Sequence, residues 1–158
     1  MNKKDNKNNK DKIHVITRAV IVDQGHLLLC KTADLPNPFF YLPGGHIEHS
    51  ESAEQAILRE LSEELGSPCT LKRFLGCLEY QFDPGYSSAC HNHEYTLIFE
   101  AKSTITLSDK LPKVENHIEL HWFPIEDLEK IDFRAPPLAK LIPKWLNSDN
   151  HNAFAKYC

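Results

Sequence analysis

The chain has 158 residues, 41% apolar and 25% charged, ordinary proportions for a globular protein and enough length for one cored domain rather than two. Eighteen basic and 22 acidic side chains give a formal net charge of -4, but five of the lysines and two of the aspartates lie in residues 1–12. The remaining 13 basic and 20 acidic groups leave a body of net charge -7, which excludes a broad basic face for a stable nucleic-acid partner. Five cysteines (Cys30, Cys69, Cys77, Cys90 and Cys158), an odd count without CxxC, speak against a disulfide scaffold and suit a reducing compartment. No run approaches the ~18 apolar residues of a membrane span. No apolar stretch of signal type follows the basic start, so a cytoplasmic location is expected. Residues 1–12 read as a flexible basic tail and 13–158 as a single domain.

After the tail, "IHVITRAVIVD" and "HLLLCK" read as paired strands joined by a tight turn at Asp23-Gln24-Gly25. "TADLPNPFFYLPGGH", with three prolines and two glycines, reads as loop with a short extended piece at Phe39–Leu42. A helix is expected from Ala53 to Leu65, capped by Ser50 or Ser52 and stopped by Gly66 and Pro68. "CTLKRFLGCLEYQF" predicts an extended or bulged strand, "DPGYSS" a turn, and "HEYTLIFEAKSTI" a further strand. "HIELHWF" alternates as a half-buried strand, "PIEDLEKI" is a helical turn or two, and "PPLAKLIPKWLN" is a terminal helix. These elements make a mixed α/β layer fold. Cys90, His91 and His93 raise a zinc site, but the two histidines would share one strand face and the cysteine the other.

The segment Gly44–Gly66 carries six glutamates, three of them at Glu60, Glu63 and Glu64 in the last turns of the expected helix. Like charges at helical neighbour spacing are unfavourable unless something positive joins them. With Ala53 at zero, Ile57, Leu61, Leu65 and Leu58 fall at about 40°, 80°, 120° and 140°, a continuous apolar stripe. Glu63, Glu60 and Glu64 fall at about 280°, 340° and 20°, an acidic arc along the boundary of that stripe. Arg59 sits on the far flank, within reach of Glu63 or of the preceding loop. Carboxylates on a rigid helix beside paired glycines supply hard oxygen donors of the kind Mg²⁺ or Mn²⁺ prefers.

Gly45, Glu51, Arg59, Glu60, Leu61, Glu63, Glu64 and Gly66 reproduce the pattern G-x5-E-x7-R-E-U-x-E-E-x-G-U, U being bulky aliphatic. In this the chain resembles the Nudix hydrolases (MutT-like), with one departure at Ser67, where an aliphatic is usual. "YLPGGHIE" and "ELHWFPIEDL" extend the resemblance, which covers about Ile13 to Leu146. It implies an α/β/α sandwich with a mixed sheet. It also implies Mg²⁺-dependent cleavage of a nucleoside diphosphate linked to another group, such as a nucleotide sugar like ADP-ribose or a modified nucleoside triphosphate, into a mononucleotide and a phosphorylated product. A catalytically silent nucleotide-binding relative is the alternative.

Carried over by position, the resemblance makes Glu60, Glu63 and Glu64, with the Gly44 carbonyl, the metal ligands. It makes Glu51 and Arg59 structural support. Glu60, Glu63 and Glu115 are the catalytic candidates, with Glu63 or Glu115 as general base and Glu94, an acid within an apolar strand, a third possibility. Arg18 is a candidate for a terminal phosphate or an edge ion pair. Phe39, Tyr41, Tyr80, Phe82 and Tyr86 could stack on a base, Tyr80 or Phe82 above the others. His46 and His49 lie in the box loop, and Arg134 has no assigned role. The expected partner is a small nucleotide, with no membrane, and relatives suggest a homodimer.

Overall fold

The computed structural model describes residues 12–83, 92–149 and 153–157. The tail 1–11, the "DPGYSS" turn beyond Asp83, Tyr86, Cys90, His91 and Cys158 therefore lie outside the described residues. Strand β1 (Ile13–Asp23) turns through Gln24 and Gly25, both at positive φ, into β2 (His26–Thr32). Two such residues make the type of turn whose twist matches a hairpin. Two very short strands follow, β3 (Phe40–Tyr41) and β4 (Gly44–His46), then helix α1 (Ala53–Leu65). Strands β5 (Cys69–Gln81), β6 (His93–Ser103) and β7 (Ile118–Pro124) come next, and a 3₁₀ turn occupies Ile125–Lys130. β8 (Phe133–Arg134), helix α2 (Leu138–Leu146) and β9 (Phe154–Tyr157) complete the order.

The strands form one mixed sheet in the order β8-β3-β2-β1-β6-β5-β9, with β4 also on β1 and β7 also on β2. β1 runs parallel to β6 along one edge. Its other edge is divided, pairing β4 at Ile16–Arg18 and β2 at Val22 and Asp23. Alternation sends successive side chains to opposite faces, and each face carries its own core. Ala19, Ile21, Leu28, Cys30 and Phe99 pack under Ile57, Leu61 and Leu65 of α1. Val20, Leu27, Leu29, Leu78 and Ile98 pack under Leu138, Ile142 and Trp145 of α2. The result is the expected α/β/α sandwich. Among the described residues no helix is long and apolar enough to cross a membrane.

Several local expectations change. The glycine stretch read as loop is a strand, because its backbone completes the β1 edge despite its poor intrinsic propensity. The C-terminal helix is not the last element, since β9 follows it and lies parallel against β5. The long strand is bulged, one of the two forms expected for it, with register shifts between Leu71 and Arg73 and between Phe74 and Gly76. Leu58 leaves the apolar stripe and is 40% exposed, while Ala56 and Glu64 are buried. The helix is thus seated with the middle of its inner face nearer Glu64 than the wheel placed it.

Candidate active site

The box begins where β4 meets β1, and glycine is demanded there twice for different reasons. Gly44 has φ +130, and a Cβ on it would lie 2.1 Å from the Thr17 backbone oxygen. A Cβ on Gly45 would lie 2.5 Å from Glu60 Oε1. The turn therefore presses directly on a strand on one side and on a carboxylate on the other. α1 then starts with a reciprocal cap at Ser52. Its Oγ accepts from Gln55 N–H at 3.1 Å, and Gln55 Oε1 accepts from Ser52 N–H at 2.8 Å. Gly66, at φ 59, closes the helix in the left-handed conformation.

Arg59 is the hub that joins loop to helix. It donates to Glu51 through Nε at 3.2 Å and Nη2 at 2.8 Å, and through Nη2 to the His46 carbonyl at 3.2 Å. Its Nη1 donates to Glu60 Oε1 at 2.9 Å and lies 3.6 Å from Glu63 Oε2. Hydrogen bonding to Glu51 holds the Arg59 guanidinium well above its ordinary range, and the same contact lowers the Glu51 carboxyl. A lysine cannot make this fork. Arg59→Lys is expected to lose about 10- to 100-fold in turnover by releasing the loop. A steady-state assay showing wild-type rates in Arg59→Lys would contradict that role.

Glu64 points inward. It is 7% exposed, and its Oε2 accepts from Gly44 N–H at 2.8 Å. Burial pushes its carboxyl up to about 7, against the opposing pull of the Arg18 charge and the Gly44 N–H. Glu60 and Glu63 instead turn toward Arg59. Consequently, among the described residues no three His, Cys, Asp or Glu side chains converge into a ready-made metal cage. The donor chemistry nevertheless fits Mg²⁺ or Mn²⁺. All candidate ligands are oxygens, the Glu60 carboxylate fills the space over Gly45, and Glu64 is a buried acid with incomplete positive compensation.

Beside this turn lies a cavity of about 680 Å³ that Arg18, Tyr80, Phe82 and Glu94 help to line. Tyr80 and Phe82 stack on each other with centroids 5.4 Å apart. Glu94, 9% exposed, is opposite Tyr80 in the β5–β6 register and accepts from Thr96 Oγ1 at 3.2 Å. Phe39 and Tyr41 are also on the wall, so the described aromatic candidates all reach it. Glu115 is outside the lining and lies 3.1 Å from His117, yet its charge acts on Glu64, Tyr41 and Cys30. His46 pairs with His14 at 2.8 Å, His49 with Ser50, and His93 with Glu79. Ser67, the departure from the box pattern, exchanges a 2.6 Å hydrogen bond with Thr104.

Two features escaped sequence reading. Arg134 lines the cavity with its guanidinium 4.8 Å from the Phe39 ring, forked onto Asp132 at 2.8 and 3.0 Å. The signal was the Asp-Phe-Arg alternation, which sets opposite charges on one strand face. Arg18 was expected to face phosphate or an edge carboxylate. It lines the cavity, but its Nη1 also donates to Leu42 O at 3.0 Å and Gly44 O at 2.6 Å.

A glutamate-bearing helix tied by an arginine to a glycine turn, on an α/β/α sandwich beside a cavity walled by aromatic rings, defines a class of protein. The family model described as NUDIX domain matches residues 12–145, and the chain belongs to the Nudix family. That membership supports hydrolysis of phosphoanhydride-type substrates in general. The chain is 28% identical over 139 residues to an ADP-ribose pyrophosphatase of Methanocaldococcus jannaschii, covering 84% of this chain and 75% of that protein. It is 31% identical over 100 residues to an 8-oxo-dGTP diphosphatase of Proteus vulgaris, covering 61% and 85%. Among solved structures, a MutT Nudix hydrolase from Burkholderia pseudomallei superposes with TM-score 0.62 at 28% identity, covering 82% and 96%. A Nudix hydrolase from Nitrosomonas europaea gives TM-score 0.67 at 22% identity over 85% and 89%, a likeness of fold.

Proposed function

We propose that this chain is a Mg²⁺- or Mn²⁺-dependent hydrolase that cleaves the diphosphate linkage of a nucleoside diphosphate derivative, releasing a mononucleotide and a phosphorylated product. The observation that carries this reading is the junction at Gly44. That residue bonds the buried Glu64 on one side and Arg18, a wall residue of the aromatic cavity, on the other. Glu60, Glu63, Glu64 and the Gly44 carbonyl are the residues that would hold the ion. When bound, it would acidify a water and neutralise charge on the phosphate oxygens.

The chain's own residues do the rest. Arg59 and Glu51 fix the loop against the helix, so the carboxylates are positioned before substrate arrives. Tyr80 and Phe82 offer aromatic faces to a base, and Arg18 offers a cation to phosphate. Glu115, Glu63 and Glu94 compete for the general base, and Glu115 is favoured by its place in the loop just before β7. Nucleotide sugars such as ADP-ribose and modified nucleoside triphosphates both fit the cavity's chemistry. The deciding experiment is a panel of these substrates with and without Mg²⁺, identifying both products. No turnover across the panel, despite nucleotide binding, would favour the silent-binder alternative.

The base assignment carries its own expected outcome. Glu115→Gln is expected to lose about 10²- to 10⁴-fold in kcat with its melting curve unchanged. A wild-type kcat in Glu115→Gln, with that loss appearing in Glu63→Gln or Glu94→Gln instead, moves the role to that residue.

A further inference from the structure

We propose that Arg18 is a built-in counter-cation of the glutamate site, competing with the divalent ion for the Gly44 carbonyl and, once displaced, turning into the cavity to take a substrate phosphate. The inference rests on the metal-dependent reading above and adds a coupling between metal and substrate. Its geometry is confined to one peptide neighbourhood. Arg18 Nη1 lies 2.6 Å from Gly44 O and 3.0 Å from Leu42 O, while Gly44 N–H donates to Glu64 Oε2 at 2.8 Å. Gly44 is thereby held between a guanidinium and a buried carboxylate.

A carbonyl oxygen can accept from a guanidinium or coordinate a divalent cation, but the two positive charges repel within a few ångströms of each other in a partly buried site. Occupancy of Gly44 O by one therefore weakens the other. The guanidinium also has somewhere to go. It already lies 5.3 Å from the Tyr41 ring, a favourable resting surface for a cation, and it borders the cavity. Opposite Arg18 along β1, the backbone leaves little freedom for the turn to follow it, because Gly44 fits only without a Cβ. The side chain is the part that moves.

Linkage makes the coupling reciprocal: whatever affinity the ion gains when a bound phosphate draws Arg18 away, a phosphate-bearing ligand gains in the presence of the ion. The test is Mn²⁺ binding to the full chain, followed by electron paramagnetic resonance, with and without the non-hydrolysable analogue α,β-methylene-ADP. Arg18→Gln is expected to bind Mn²⁺ at least about fivefold more tightly than wild type without nucleotide, the lower end of ordinary coupling. It is also expected to lose the Mn²⁺-induced tightening of the analogue. Arg18→Lys, which keeps the charge but replaces the guanidinium with a shorter-reaching ammonium, is expected to fall between the two and guards against a misfolded glutamine variant. If both variants bind Mn²⁺ no more tightly than wild type, with melting curves intact, Arg18 only braces the turn and the inference is overturned. If the wild-type chain binds no Mn²⁺, the metal-dependent reading fails along with it.

Discussion

Glu60→Gln and Glu64→Gln are expected to abolish metal-dependent turnover while leaving the fold in place. A glutamine replacing Glu64 can still accept from Gly44 N–H through its amide oxygen, and one replacing Glu60 can still accept from Arg59, so the helix and its loop keep their contacts. What both variants lose is anionic charge among hard donors, and Mg²⁺ depends on that charge. Outer-shell partners of a metal typically cost up to about 100-fold when removed, so a direct ligand is expected to exceed that loss. Product release with Mg²⁺, alongside a thermal melt, reads both halves of the expectation. Either variant turning over substrate at the wild-type rate with Mg²⁺ would remove the basis of the proposed function.

The second large effect separates two adjacent glycines. Gly44→Ala places a methyl group 2.1 Å from the Thr17 backbone oxygen at a φ of +130. Backbone cannot step aside without breaking the β1–β4 pairing, and strain of that kind costs about 1–3 kcal/mol before the clash is counted. A chain of this size then loses several degrees of Tm, at roughly 2–4 °C per kcal/mol. Gly45→Ala instead meets the tip of Glu60, 2.5 Å away, and a side-chain carboxylate can swing clear. Its stability cost is expected to stay at about 1 kcal/mol or less. Its catalytic cost is expected to be on the order of 10²-fold, because the displaced group is a proposed ligand and a misplacement of about 1 Å is that expensive. Equal melting temperatures for the two variants would show that the turn yields where the contacts say it cannot.

Local signals were legible in the sequence and contacts across the sheet were not. α1 matched its expected bounds because its cap, its amphipathic spacing and its terminating Gly66 all lie within the helix or one residue beyond. The hairpin turn at Gln24 and Gly25 was equally local. By contrast β4, β8 and β9 are short, and each exists through a partner distant in sequence. Nothing in "GGH" alone announces a strand. Leu58 was misplaced because a wheel gives angles within the helix but not how the helix sits on the sheet. The position of Glu64 under the Gly44 turn, rather than the neighbouring leucine, sets that seat. Arg18 was read as a charge seeking a charge, whereas the structure shows it also bonded to two carbonyls, a partner type that composition does not reveal.

The cavity and the box draw on different parts of the chain. The capping box, the Arg59 hub and the glycine turn are contained almost wholly between Gly44 and Gly66. The far walls come from Phe39, from the ends of β5 and β6, and from the stretch around Asp132–Pro136. A duplicated ancestor could therefore rewrite its walls through changes outside residues 44–66 and acquire new clients while its hydrolytic hardware descended intact.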